Sequence, residues 1–236
     1  MPEYIQSPIE GTHLFDDFVS NDLVTDNNVG AMKWQITAIA NGTTYTYVTA
    51  EAHGVLRSTT VVTADGDGSC LHSFADGIIL NGGNGHFRTR VRYPNITGNA
   101  IAGNNFRIGL DDSVTATSPT VGIWIDANAA VLTLQCDSAD HGDVAASAAG
   151  VSTLTSGTTM VLGTWHEIDV FWSETNAQGG PLVVKMFVDN ELAATVDNCA
   201  IDNDEEVELK IAHWQDSGSG DTLDLDIDYF EVFLPR

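Results

Sequence analysis

The sequence predicts an all-β protein built as a two-sheet antiparallel sandwich, on three observations. No window longer than about ten residues sustains a helical period. Apolar, β-branched and aromatic residues instead fall in roughly fifteen short runs, many alternating with polar residues. Turn residues separate the runs at fairly regular spacing: Asn41-Gly42, Asp65-Gly66-Asp67-Gly68, Asn81 to Gly85, Asn128, Gly179-Gly180 and Gly218-Ser219-Gly220. So many short strands in one chain fit a jelly roll of two packed sheets.

Taken in order, residues 1–13 show no period and carry Pro2 and Pro8, so they read as an N-terminal arm, disordered or gripping a neighbouring subunit. Residues 14–236 read as a single domain. After Leu14–Phe18, the expected strands are Met32–Ala40, Thr44–Glu51, Gly54–Thr59, Ser69–Phe74, Gly77–Leu80, His86–Tyr93, Phe106–Asp111, Thr120–Asp126 and Val131–Asp137. Met160–Leu162, Trp165–Trp172, Leu182–Val188, Glu191–Val196, Val207–Trp214 and Leu223–Leu234 follow. The pair Trp165–Trp172 and Leu182–Val188 is the clearest, because a loop with Asn, Gln, Gly and Pro (Ser173 to Pro181) divides two β-branched and aromatic runs. Asp189-Asn190 then makes a tight turn into the next strand. The patch Ala145–Thr159, rich in Ala, Ser, Thr and Gly, reads as a loop over one edge of the sandwich.

A resemblance attaches to that clearest stretch. Trp165-His166-Glu167-Ile168, a hydrophobic strand, a polar loop and then Val184-Lys185-Met186-Phe187-Val188-Asp189-Asn190-Glu191-Leu192 are similar to the late strands of concanavalin A-like (laminin G-like, lectin/glucanase) jelly rolls. Asp228-Tyr229-Phe230-Glu231-Val232-Phe233 and Leu14-Phe15-Asp16-Asp17-Phe18 resemble the terminal strands of the same families. The resemblance covers residues 14 to 234 and implies a fold that lectins, glycosidases, lyases and virion proteins share.

A chain of 236 residues buries roughly 70 to 75% of its extended surface, enough for a purely apolar core. Thirty-three acidic against nine basic residues give a net charge of −24, which excludes nucleic acid and anionic membrane as partners. Such a surface suits saline surroundings or cation binding. Cys70, Cys136 and Cys199 lie in or beside apolar runs, cannot all pair, and read as buried free thiols in a reducing cytoplasm. The N-terminus shows no secretion signal, and no apolar run approaches 18 residues. Assembly in a host cytoplasm and release inside a virion would accommodate both observations.

Four constellations are candidates for chemistry. On the strand Trp165–Trp172, alternation puts Trp165, Glu167, Asp169 and Phe171 on one face, where aromatics beside carboxylates suit a sugar; Trp124 and Trp214 are further stacking candidates. Glu167-Ile168-Asp169 resembles the start of the E-x-D-x-E signature of laminarinase-like glucanases. The next acid, Glu174, is seven positions after Glu167, an odd offset on the opposite face, so the strand supplies no catalytic pair. Arg88, Arg90 and Arg92 project from one face, with Arg107 expected nearby, and slightly resemble the Arg-rich strand of alginate-lyase-like jelly rolls. Arg90 replaces the central Glu of that pattern, and the lyase's Tyr/His pair is missing. Asp224, Asp226 and Asp228 alternate in the same way, so two ladders of opposite sign are expected to meet across neighbouring strands or a subunit boundary.

The Asp65-Gly66-Asp67-Gly68-Ser69 loop offers Asp65 and Asp67 as calcium ligands, with plain turns as the alternative; a similar acidic glycine loop spans Asp216 to Asp221. No cofactor other than calcium is implied. The seven histidines show no paired spacing, and no serine, cysteine or lysine nucleophile motif occurs. Together these features predict a non-enzymatic virion subunit, a capsid decoration or tail-associated protein, forming homo-oligomers and touching other virion proteins. The alternative is a lectin-like carbohydrate-binding module recognising a surface glycan. A glycoside hydrolase or polysaccharide lyase ranks third.

Overall fold

Among the described residues most of the β-branched and aromatic runs fold as strands, and no helix occurs. The computed structural model describes residues 11–18, 32–40, 43–48, 51, 54–60, 66–79, 84–113, 119–129, 131–137, 160–174, 182–199, 206–216 and 222–235. In chain order the strands are β1 (Gly11–Asp16), β2 (Gln35–Ala38), β3 (Thr43–Tyr47), β4 (Leu56–Thr60), β5 (Gly68–Ile79), β6 (Gly85–Arg92) and β7 (Asn104–Asp111). Then come β8 (Gly122–Asn128), β9 (Val131–Asp137), β10 (His166–Glu174), β11 (Leu182–Val188), β12 (Glu191–Cys199), β13 (Glu206–Gln215) and β14 (Leu223–Pro235). Of the arm read over residues 1–13, residues 11–13 belong to β1; its remainder and the patch 145–159 lie outside the described residues.

Two antiparallel sheets form the predicted jelly-roll sandwich. One has eight strands in the order β12-β11-β10-β6-β14-β4-β3, with β1 also on β14. The long β14 serves two partners on one edge, β4 along Leu223–Ile227 and β1 along Phe230–Pro235, while β6 fills its other edge. The second sheet runs β2-β5-β13-β7-β8-β9.

Alternation sends one face of each sheet inward. Phe87, Val91, Ile168, Val170, Trp172, Phe230 and Val232 meet Phe106, Ile108, Leu110, Ile123, Ile125, Leu209 and Ile211 in one continuous core. Each such side chain contributes about 1.5 to 3 kcal/mol through burial. Some polar groups enter this layer with their hydrogen bonds made. Asp16 accepts from the Phe18 and Met32 amides, both at 2.9 Å, and from Trp34 Nε1 at 3.1 Å. His213 bridges the sheets between Ser58 Oγ and Asn104 Oδ1, both at 2.8 Å.

The thiol expectation is corrected. Cys136 at the end of β9 and Cys199 at the end of β12 form a disulfide, with Cα atoms 6.1 Å apart, and only Cys70 is free and buried. These are outermost strands of different sheets, brought together by sandwich closure although 63 residues separate them in sequence. A disulfide persists in oxidising surroundings, which removes the thiol argument for a reducing cytoplasm. Residues 160–162 also form no strand, and residues 69–74 and 77–79 of two expected runs belong to one strand, β5, while residue 80 lies outside the described residues.

Candidate functional site

On the eight-stranded sheet the outward side chains form rows perpendicular to the strands, and the rows change character from one end to the other. The first reads His13, Phe233, His86, Phe171 and Lys185 on β1, β14, β6, β10 and β11. The next reads Phe15, Glu231, Arg88, Asp169 and Phe187. Beyond them, Tyr229, Arg90 and Glu167 align, and then Arg57, Asp226 and Arg92. One end is therefore aromatic and the other ionic.

At the aromatic end the His86 ring stacks on Phe233, with centroids 5.8 Å apart, and lies 5.3 Å from Phe171, which meets Phe187 edge-on at 5.8 Å. Phe171 is 39% exposed. A cavity of about 460 Å³ opens here, lined by Asn84, Gly85, His86, Phe171, Trp172, Ser173 and Phe233. Gly85 is required at its floor, because any Cβ there would overlap the Trp172 indole. Burial lowers the pKa of His86, favouring the neutral imidazole that stacks best.

The ionic end is self-satisfied. Arg57 holds Asp226 in a two-point bond, Nε to Oδ1 at 2.6 Å and Nη2 to Oδ2 at 2.9 Å, while Arg92 Nε reaches the same carboxylate at 2.9 Å. Arg92 also bonds Glu51, Arg90 bonds Asp228 at 2.7 Å, and Arg88 bonds Asp169. Burial raises the Asp169 pKa against the opposing pull of Arg88. Glu167 accepts from Tyr229 Oη at 2.9 Å, and the guanidinium carbons of Arg90 and Arg92 stand 4.9 and 4.3 Å over the Trp165 ring.

The predicted residues are thus only partly brought together. Trp165, Glu167, Asp169 and Phe171 share the expected face, but the two acids and Trp165 are engaged by charged or polar neighbours, leaving Phe171, packed on His86 and Phe187, as the exposed aromatic. Trp124 and Trp214 lie on the other sheet, buried, with their indole N–H groups on Asp126 and Asp216. The charge ladder exists as two direct pairs, Arg92 with Asp226 and Arg90 with Asp228. Asp224 instead bonds Thr59, and Arg88 turns to Asp169. A bulge between Ile227 and Tyr229 shifts the later register, placing Tyr229 and Glu231 opposite Arg90 and Arg88. Arg107 is corrected: residues 93–103 carry the chain to the other sheet, where Arg107 bonds Asp126 at 2.9 Å.

Asp65 lies outside the described residues; Asp67 is buried, and its carbonyl accepts from the Gln215 amide at 3.0 Å in a turn. No group of three metal-ligating side chains occurs among the described residues. Sequence reasoning missed His86 and Phe233. Their signal was parity: each faces outward on its strand, in register with Phe171 or with the other.

The outward face of the six-stranded sheet is polar yet largely buried. Its central row reads Gln35, His72, Lys210, Gly109, Trp124 and Gln135, with Asp111 and Glu208 paired in the adjacent row. Burial pushes Asp111 up to about 7, partly offset by Lys210 and Arg107.

No protein family's sequence profile matches this chain, and no curated protein does. Solved structures do match its fold. The Emp47p carbohydrate recognition domain is 10% identical with a TM-score of 0.55, covering 91% of this chain and 94% of that one. An endo-β-1,4-glucuronan lyase from the fungus Trichoderma reesei is 13% identical with a TM-score of 0.56, covering 94% and 95%. A carbohydrate esterase from Shiga toxin-encoding bacteriophage phi24B is 14% identical with a TM-score of 0.52, covering 96% and 100%. The fold they share with this chain is a two-sheet antiparallel jelly roll. At these identities the likeness shows the fold alone. It nonetheless corrects the non-enzymatic expectation, because a lyase and an esterase share this architecture and a missing sequence signature excludes neither reaction class.

Proposed function

We propose that this chain is a carbohydrate-recognition module that seats a pyranose ring on the aromatic row of the eight-stranded sheet. The observation that carries this reading is the open cavity where Phe171, His86 and Phe233 gather around a floor of Gly85 and Trp172. A pyranose presents an apolar C–H face that stacks on such rings, and equatorial hydroxyls that need polar partners at the edge. Asn84 and Ser173 at the cavity supply those partners, and Lys185 and His13 end the row. That the fold neighbours include a carbohydrate recognition domain, a glucuronan lyase and a carbohydrate esterase supports the reading. The virion and oligomer expectations gain no support from this geometry.

A glycan array followed by titration of the best hit tests the reading. Phe171→Ala and Phe233→Ala should each weaken binding at least tenfold with the fold intact. Trp165→Ala should leave binding unchanged, since Arg90 and Arg92 already cover that ring. Equal affinity in the wild type and both phenylalanine variants would overturn it.

A further inference from the structure

Lys185 stands mid-strand on β11 with its side chain exposed, directly opposite Phe171 on β10 and Thr195 on β12. It forms no salt bridge or hydrogen bond with a described residue. That sets it apart in a chain where 33 acids compete for nine lysines and arginines. Arg57 and Arg92 share Asp226, Arg88 holds Asp169, Arg90 holds Asp228 and Arg107 holds Asp126. Lys210 is buried beside Asp111, Lys33 has a partner of its own, and Arg236 lies outside the described residues. Among the described residues, Lys185 is therefore the lysine or arginine left both exposed and uncommitted, and it adjoins the exposed Phe171 of the cavity. The other end of the row is already engaged, since His13 Nε2 meets Glu231 Oε1 at 2.7 Å.

Residues directly opposite on antiparallel strands have Cβ atoms about 4.5 to 5.5 Å apart, and the four-carbon stem of lysine is flexible, so the ammonium can reach a ligand seated against Phe171. A sugar there turns the groups on its β11 side towards an unpaired cation. A hydroxyl takes a single hydrogen bond from it, whereas a carboxylate or sulfate oxygen takes a charge-assisted one, roughly twice as strong. The rest of the molecule sets a limit in the opposite direction. A net charge of −24 repels a polyanion along its whole length, and Arg57, Arg88, Arg90 and Arg92 on this face are held by acids. One anionic group beside Lys185 gains the local contact. Further anionic groups along the same glycan meet only the repulsion.

We propose that Lys185 tunes the aromatic row to a glycan carrying a single acidic sugar, whose carboxylate or sulfate pairs with the ammonium, in preference to neutral glycans and to polyanionic chains. This rests on the aromatic row as the sugar site and names the class of glycan it takes.

The test is a glycan array of matched sets of equal length: neutral, with one uronate, with one sulfated sugar, and made wholly of uronates. Calorimetric titration of the full chain with the best-bound set follows. The single-acid glycans should bind about three- to fivefold more tightly than their neutral counterparts, the worth of a surface ion pair, and the polyuronates no better than the neutral set. Lys185→Gln should erase that preference without changing affinity for the neutral glycan, while Lys185→Arg should keep it. The uronate and sulfate arms show which acid group the ammonium takes. Equal affinity for neutral and single-acid glycans, tighter binding of the polyuronate, or a preference that survives in Lys185→Gln would overturn the proposal. Failure of the aromatic-row reading shows separately, as no binding to any set or as a Phe171→Ala variant that binds every set like the wild type, and it would take this proposal with it.

Discussion

Arg92 on β6 lies directly opposite Asp226 on β14 and donates to it at 2.9 Å, sharing a carboxylate that is fully buried and that Arg57 grips from the other side. Removing that carboxylate takes from Arg57, 20% exposed, its two-point partner and leaves Arg92, 15% exposed, with Glu51. Asp226→Ala should therefore cost about 3 kcal/mol or more in urea denaturation. Arg90→Ala, whose side chain is 40% exposed, should cost less than about 1 kcal/mol. Equal losses in the two variants would contradict this ranking.

This pairing was legible before the fold was known, because Arg88, Arg90, Arg92 and Asp224, Asp226, Asp228 alternate with period two and β-strands place alternate residues on one face. What alternation does not reveal is where a strand slips. The bulge after Ile227 shifts the later β14 register and brings Tyr229, not Asp228, opposite Arg90. Strands with strong β-branched runs and clear turns kept their expected bounds, as Val131–Asp137 and Leu182–Val188 show. Relations set by how the chain passes between the two sheets were hidden: the Cys136–Cys199 bridge and the placement of Arg107 on the second sheet.

His213 makes the fold sensitive to acid. Asn104 Oδ1 can only accept, so Nε2 carries the proton of the neutral ring, and Nδ1 then accepts from the Ser58 hydroxyl. Burial pushes its pKa down to about 3, whereas an unfolded imidazole sits at 6.5. The unfolded chain thus binds a proton the folded chain refuses, and stability from this group is kept above about pH 6.5 and lost as pH falls towards 3, at up to about 1.4 kcal/mol per pH unit. Urea midpoints of wild type minus His213→Gln should fall steadily from pH 6.5 to 4. Parallel curves would refute it.

Asp111 has the opposite linkage. Its folded pKa of about 7 exceeds the ordinary 3.8, so the folded state binds more protons between those values, and this group's contribution to stability declines as pH rises from about 4 to 7. Asp111→Asn should remove that decline. The difference between wild-type and Asp111→Asn midpoints, followed across the same window, checks it, and a difference independent of pH would rule it out.

The Cys136–Cys199 bridge closes a loop with a sequence separation of 63 residues and ties the outer strand of one sheet to that of the other. Chain entropy alone assigns such a closure about 4 kcal/mol. Melting under dithiothreitol, or of the Cys136→Ser/Cys199→Ser variant, should drop by several degrees, and Cys70→Ser should behave the same with or without reductant as the wild type does. An identical melting temperature in both redox states would show that the bridge does not form in solution.

Gly85 connects the core to the cavity. It lies opposite Trp172, and a Cβ there would come within 2.1 Å of the indole, which is itself buried and shapes the cavity floor. Gly85→Ala must displace that ring, an overpacking that costs about 1 to 3 kcal/mol. The displaced indole also reshapes the surface on which the sugar ring is proposed to sit. Stability and glycan affinity should therefore fall together in Gly85→Ala, with a changed tryptophan emission spectrum. Phe15→Ala removes an aromatic that packs on Tyr229, outside the cavity lining, and should leave affinity alone. If Gly85→Ala loses stability but binds as tightly as wild type, the ligand does not rest on the floor made by Gly85 and Trp172, and the aromatic row is not where recognition occurs.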